Sequence, residues 1–205
     1  MNINDISRAT LGRLPRYLEF IETSPEVSHG PGARVSSSLI ARNLGLGEVL
    51  VRKDLSALAG AGRPKTGFDV SDLETALREY IGSDNPTPVI IVGAGRLGTA
   101  ILNYKGFTGF GVEVVAAFDR SGSKKNDRHI MPLEDMRSYC EKNGIRIAIM
   151  AVSDDACQTI CDIVIEAGIN KILNFSQVRP SVPENVLVEQ LNIALSLAAL
   201  KHSGI

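Results

Sequence analysis

Residues 89–98, Val89-Ile90-Ile91-Val92-Gly93-Ala94-Gly95-Arg96-Leu97-Gly98, constrain the fold more than any other part of the chain. Four consecutive β-branched residues read as a parallel strand buried on both faces. They run directly into glycines spaced G-x-G-x-x-G. Each glycine has a physical task in that setting. Gly93 permits the tight turn, Gly95 lets the backbone approach a pyrophosphate, and Gly98 lets the following helix pack close to the strand. The free N–H groups and the dipole at the helix N-terminus then favour phosphate. Ala94, Arg96 and Leu97 occupy the intervening positions and join the glycines as candidate cofactor contacts. A carboxylate is expected about 20 residues further on, and Asp119 ends the next predicted strand. It suits the two hydroxyls of an adenine ribose and opposes a 2′-phosphate, which selects NAD(H) over NADP(H). Arg120 follows, with Lys124 and Lys125 behind it, and cations at this turn also suit a 2′-phosphate.

This fingerprint does not open the chain, and what precedes it has a different texture. Leu11, Leu14, Leu18 and Ile21 predict a helix over about 10–23, with Pro15 near its first turn. Ser36, Ser37 and Ser38 offer N-caps for a second helix running to Asn43. A third, from about Glu48 to Ala59, buries Val51, Leu55 and Leu58. The segment Gly60-Ala61-Gly62-Arg63-Pro64-Lys65-Thr66-Gly67 is too rich in glycine for helix, and Phe68 to Val70 reads as a brief strand beyond it. Ser71-Asp72-Leu73-Glu74 has the form of a capping box opening a fourth helix to Ile81. Three helices and a glycine-rich hairpin have the order of a winged helix-turn-helix, whose third helix enters the major groove. Arg52 and Lys53 then point away from the core toward guanine or phosphate. Ser37, Ser56, Arg63 and Lys65 complete the DNA-contact candidates.

Net charge is −1 over 205 residues, so no global field announces a nucleic acid or a membrane. The cations are instead local: residues 1–67 hold nine Lys or Arg against six acids. No apolar run reaches the ~18 residues that a membrane span needs. The first ten residues carry no apolar run of signal-peptide type, and a cytoplasmic location is expected. Cys140, Cys157 and Cys161 are read as small buried apolar residues rather than a metal or redox set.

After Pro88 the pattern alternates strand and helix. Strands read at 89–92, 113–119, 145–152, 171–175 and 186–188, with helices near 96–104, 133–143 and 154–167, which implies a doubly wound parallel sheet. Residues 189–202 predict a last helix that is apolar nearly all round. Such a helix is buried on all sides, either by a second subunit or by docking within the chain. Catalytic groupings are sparse. His29, His129 and His202 have no nucleophile or carboxylate arranged around them, no Tyr has a Lys four residues later, and no zinc-ligand spacing occurs. No metal site and no enzymatic activity are expected.

Several motifs together resemble the Rex family, redox-sensing transcriptional repressors of bacteria. They are Leu14-Pro15-Arg16-Tyr17, Val51-Arg52-Lys53-Asp54-Leu55, the glycine motif with Asn103-Tyr104, Phe118-Asp119, Ala167-Gly168-Ile169 and Ile172-Leu173-Asn174-Phe175. The resemblance implies a homodimer with C-terminal helices swapped between subunits. It also implies NAD(H) in the Rossmann domains, with Tyr104 and Val152 among its contacts, and release from a palindromic operator as NADH rises. The chain departs from the family pattern at Leu58 and Ala61, where the family has aromatics, and at Ser176-Gln177 after Asn174-Phe175. It carries Glu19 and Asn192 at positions where the family places an arginine and an aspartate that link redox state to domain angle.

The expected organisation is a winged-helix DNA-binding domain over 1–82, a linker over 83–88, a Rossmann NAD(H)-binding domain over 89–188, and a swapped dimerisation helix over 189–205. An NAD-dependent oxidoreductase, a CoA-binding regulator and a constitutive repressor with structural nucleotide are the alternatives left open.

Overall fold

The computed structural model describes residues 6–63, 66–82, 85–120 and 130–202. The chain divides into two compact units: Met1–Pro86 with Thr108–Gly111, and Thr87–Phe107 with Val112–Ile205.

The first unit is helical. The expected single helix over 10–23 is two, α1 (Arg8–Leu11) and α2 (Leu14–Thr23), with Pro15 in the first turn of α2, where its missing N–H costs nothing. Helix α3 (Ser37–Leu44) is capped by the Ser36 hydroxyl, which accepts from the Leu39 N–H, and ends on Gly45 in the left-handed region. Helix α4 (Glu48–Ala59) has the expected bounds and buries Val51 and Leu55, while Leu58 is half-buried. Strand β1 (Arg34–Val35), absent from the sequence reading, pairs antiparallel with β2 (Phe68–Asp69). Helix α5 (Val70–Ile81) starts earlier than the Ser71 capping box predicts. Asp69 is its cap, accepting from the N–H groups of Ser71 and Asp72. Tyr17, Leu18, Ile21, Ile40, Val51, Leu55, Leu73 and Leu77 form the core of this unit.

The second unit is one six-stranded sheet, all parallel: β3 (Thr87–Val92), β4 (Val112–Asp119), β5 (Ile130–Pro132), β6 (Ile147–Met150), β7 (Lys171–Asn174) and β8 (Leu187–Gln190). Their order is β5-β4-β3-β6-β7-β8, which is the 3-2-1-4-5-6 order of dinucleotide-binding sheets. Both faces are covered, as the apolar run predicts. Ile90 and Val92 face a core shared with α7 (Met136–Asn143) and α8 (Cys157–Glu166). Val89 and Ile91 face the other side, with Ile101 and Leu102 of α6 (Arg96–Leu102).

Three boundaries of the expected domain organisation differ from the structure. Thr87 and Pro88 belong to β3 rather than to a linker; Pro88 lies near the strand's start, where a missing donor costs least. The sheet continues to Gln190 rather than ending at 188. Consequently the last helix, α9 (Ile193–His202), begins after 189, because Leu187 to Gln190 pair in register with Lys171 to Asn174. Asn192 caps α9, its side-chain oxygen accepting from the Leu195 N–H at 3.0 Å. Within one chain α9 is not buried on any side: Ile193, Leu195, Leu197 and Leu200 are all exposed. Among the described residues no helix is long and apolar enough to cross a membrane.

Candidate functional site

The glycine turn and the strand ends around it form a cleft of about 190 Å³ at the C-terminal edge of the sheet. Beside β3 the strand order reverses, with β4 on one side and β6 on the other, and open α/β sheets bind ligands outside such a switch point. Gly93, with φ +98°, has no room for a side chain: a Cβ would sit 2.6 Å from the Ala151 carbonyl oxygen. A Cβ on Gly98 would overlap the carbonyl oxygen of Gly93 itself. At Gly95, by contrast, a Cβ would meet nothing within 4 Å, so this stretch of backbone faces open space. The first two glycine-specific positions close the turn against the protein, and the third leaves room for a ligand to approach.

Asp119 is tied to the same turn. Its Oδ2 accepts the Ala94 backbone N–H at 2.9 Å, while Gly93 donates to the Phe118 carbonyl at 2.8 Å. The carboxylate thus stands at the end of β4 beside the glycine loop, with Arg120 next to it on the cleft wall.

Of the expected cofactor contacts, Gly93, Gly95, Asp119, Arg120 and Val152 line the cleft. Ala94 touches Asp119, and Gly98 supports the turn from beneath. Arg96 and Leu97 are exposed in the first turn of α6. Tyr104 is not brought to the cleft. It stands exposed beyond the end of α6, edge-on to Phe107 with ring centroids 5.0 Å apart. Sequence reasoning missed Ala151, Ser153 and Ala156, which follow β6 and form the opposite wall. The signal was available, since the loop after the strand across the switch point is bound to face the ligand.

Behind that wall lies a polar cluster at the end of β7. Asp154 Oδ1 accepts from the Ser176 hydroxyl at 2.7 Å and from the Gln177 N–H at 2.8 Å, and these bonds hold its carboxyl below the ordinary range. Buried Asn174 donates to the Val178 carbonyl and to the Gln190 side-chain oxygen. Ser176 and Gln177 therefore anchor the loop that carries Ser153 and Ala156. The cysteines are buried, and burial pushes Cys161 up to about 11 and raises Cys140, which leaves both as inert thiols.

In the first unit, four of the six DNA-contact candidates share one concave surface of about 400 Å³. Ser37, Arg52, Ser56 and Arg63 line it, together with Glu48. Ser37 lies mostly buried at its floor, and Arg52 is 4.0 Å from Glu48. Arg63 and Gly67 exchange backbone hydrogen bonds of 2.9 and 3.0 Å that close the wing; Lys65 lies outside the described residues. A Cβ on Gly67 (φ +77°) would overlap the Val35 carbonyl oxygen, so only glycine brings the wing against β1. Lys53 is exposed on another flank of α4, bordering a hollow with Ser7, Thr10 and Arg13.

That hollow borders a cluster the sequence did not reveal. Asp54, on the recognition-helix motif, is buried. Arg13 grips it with two bonds (Nε to Oδ2 2.7 Å, Nη2 to Oδ1 2.9 Å), the Tyr17 hydroxyl donates to Oδ2 at 2.7 Å, and the Thr10 hydroxyl to Oδ1 at 3.0 Å. Burial works to raise the Asp54 pKa, but the bonds from Arg13, Tyr17 and Thr10 outweigh it and hold the carboxyl below its ordinary value. Burial, reinforced by Asp54, pushes Tyr17 up to about 12. The clamp fixes α4 to the start of α2.

Two family models match the chain: "Putative DNA-binding protein N-terminus" over residues 5–56, and "CoA binding domain" over 84–178. The redox-sensing transcriptional repressor Rex of Clostridium botulinum is 34% identical over 200 residues, 96% of this chain and 94% of that protein. The chain belongs to the Rex family. The Rex of Pelotomaculum thermopropionicum is likewise 34% identical, over 95% of this chain and 92% of its own. Among solved structures, the Rex-family repressor RSP superposes with a TM-score of 0.75 at 30% identity, covering 96% of this chain and 92% of its own. RSP in complex with β-NAD⁺ and operator DNA gives 0.76 at 31% identity, over 96% and 91%. The two units therefore have the architecture of Rex repressors, an N-terminal DNA-binding domain followed by a parallel Rossmann-like sheet.

Proposed function

We propose that this chain is a cytoplasmic, homodimeric transcriptional repressor that binds a palindromic operator through α4 and the wing and binds NAD(H) in the cleft, with NADH lowering operator affinity. The observation that carries the reading is one chain holding both surfaces. Arg52, Ser56, Ser37 and Arg63 converge in the first unit; Gly95's open backbone, Asp119 and the loop after β6 converge in the second. RSP has been solved with operator DNA and NAD⁺, and with NADH. The cleft residues fit that nucleotide: open space at Gly95 takes a pyrophosphate, and Asp119 takes ribose hydroxyls. When bound, the nicotinamide supplies a ring whose charge differs between its two redox states. The chain's own residues bind and orient it; they catalyse nothing.

The apolar, exposed face of α9 supports a second copy as its cover, since a lone chain would leave four large aliphatic side chains in water. Repression responds to NADH only if the nucleotide binds the DNA-competent and incompetent dimers unequally; ~100-fold discrimination is worth about 2.7 kcal/mol.

The test is a fluorescence-anisotropy titration of the full chain on palindromic duplexes selected from a random pool, with NAD⁺, NADH and CoA added separately. NADH should release the DNA while NAD⁺ and CoA do not. Release by CoA would favour a CoA-binding regulator, which the second family model makes worth testing. DNA binding indifferent to all three would reduce the nucleotide to a structural role.

A further inference from the structure

Within the first unit, the large apolar side chains of the described residues are buried or half-buried, except for two neighbours in the first turn of α4. Val49 is 69% exposed and Leu50 40%. Leu50 turns to the flank of α4, where it borders the hollow lined by Ile6 and Ala9. Val49 lines neither that hollow nor the concave surface that holds Arg52 and Ser56. It lies roughly 200° around the helix from buried Val51, on the same ridge as Lys53 and Ser56 at spacings of four and seven. Arg52 stands beside that ridge, exposed.

Helix formation does not account for Val49, because a β-branched residue is among the poorer choices for an exposed helical position. An apolar protein partner does not fit either, because Arg52 and Lys53 would be carried into it. A surface that mixes cations with one isolated branched aliphatic suits the major groove. Phosphates flank that groove, and its base edges carry one apolar group, the thymine C5 methyl. The N-terminal residues of a recognition helix are those that meet base edges.

We propose that Val49 is a specificity-determining residue that packs on a thymine methyl in each operator half-site, an inference that rests on the DNA-binding reading of α4. Arg52 and Lys53 supply affinity and register; Val49 supplies preference for thymine at one position.

The experiment removes single methyl groups. Duplexes selected by the wild-type chain from a random pool are resynthesised with deoxyuridine in place of each half-site thymine in turn. This deletes the C5 methyl and keeps every hydrogen-bonding group. One substitution should weaken wild-type binding about four-fold, the effect of one lost methyl contact. Val49→Ala should bind the thymine duplex about four-fold more weakly and should not distinguish it from the deoxyuridine duplex. Val49 is exposed, so circular dichroism and melting of the variant should match wild type. The proposal falls if the selected half-sites lack thymine, if no single deoxyuridine weakens wild-type binding, or if the deoxyuridine penalty persists in Val49→Ala. Failure of the wild-type chain to enrich any duplex overturns the DNA-binding reading itself and is distinct from those results.

Discussion

Asp54 and Asp119 are both carboxylates beside a working surface, and they are held in opposite ways. Asp54 is buried and takes its bonds from side chains: Arg13, Tyr17 and Thr10, drawn from the chain about 40 residues earlier. Asp119 is half-buried and accepts a bond from the backbone, the Ala94 N–H. The contrast extends to the units around them. The proposed nucleic-acid surface draws Arg52 and Ser56 from a helix whose position an ionic cluster fixes from behind, with Ser37 at its floor and Arg63 from the wing. The proposed nucleotide cleft is shaped by its main chain, by positions where no Cβ fits and one, Gly95, where a Cβ would meet open space. Charges on the first surface are thus open to substitution without cost to the fold, whereas its hidden clamp is not. In the second, even one methyl group is felt.

The clamp should give the largest effect. Arg13→Ala leaves Asp54 buried without its cation, and breaking a buried pair costs roughly 3–5 kcal/mol. The triple change Arg13→Met, Tyr17→Phe and Asp54→Leu should recover most of that loss in urea denaturation, because neither a charge nor the buried Tyr17 hydroxyl is then stranded. If the single variant is as stable as wild type, the contrast between clamp and surface disappears. The pH dependence follows from the same residues. The folded pKa of Asp54 is depressed, so its contribution is complete above its unfolded value, about 3.9, and is lost as pH falls through the lower folded value. Tyr17 is raised in the folded state, so its contribution is complete below about 10 and is lost as pH rises through about 12. The stability gap between wild type and that triple variant should change in those two windows.

The glycines sharpen the other half of the comparison. Gly98→Ala drives a methyl into the Gly93 carbonyl, which is backbone and cannot swing aside, and overpacking of this kind costs about 1–3 kcal/mol. Gly95→Ala meets open space, so its melting temperature should equal that of wild type while NADH affinity falls by about ten-fold. A Gly95→Ala variant that still binds NADH normally in calorimetry would place the pyrophosphate elsewhere.

On the DNA side, Arg52→Ala and Lys53→Ala should each leave the free energy of unfolding within about ±0.5 kcal/mol of wild type, as surface changes do. Operator affinity should fall, and each lost phosphate contact should reduce the slope of log K against log salt by about one. The two residues line different flanks of α4, so their effects should add.

What the sequence made legible follows the same division. The β-branched run, the glycine turn and α4 were readable because local pattern and tertiary role agree there. The exposure of Arg52 was readable for the same reason. Asp54 was not, since a charge between exposed Lys53 and buried Leu55 reads as solvated until α2 brings Arg13 and Tyr17 to it. Glu189 and Gln190 were misread at the start of α9 because their partner, β7, settles the matter, and strand pairing leaves little trace in two residues. Asp69 took the capping role from Ser71 because β2 delivers it to the helix start with its carboxylate free to turn inward. Tyr104, named through family resemblance, stands exposed outside the cleft lining in this structure.

The smallest effect expected is the most discriminating for Asp119, because its two jobs can be separated. Asp119→Ala removes both the acceptor for Ala94 and the charge facing the ribose. Asp119→Asn keeps an oxygen that can accept from Ala94 and removes only the charge. If the carboxylate selects NAD(H) by repelling a 2′-phosphate, both variants should bind NADPH better relative to NADH, by a few-fold, with Arg120 beside the gap to receive the phosphate. If it serves mainly to hold the glycine turn, Asp119→Asn should keep wild-type NADH affinity and selectivity, and only Asp119→Ala should lose affinity, for both cofactors alike. Competition binding of NADH and NADPH to the two variants distinguishes these patterns, and unchanged selectivity in both would remove Asp119 from the ribose.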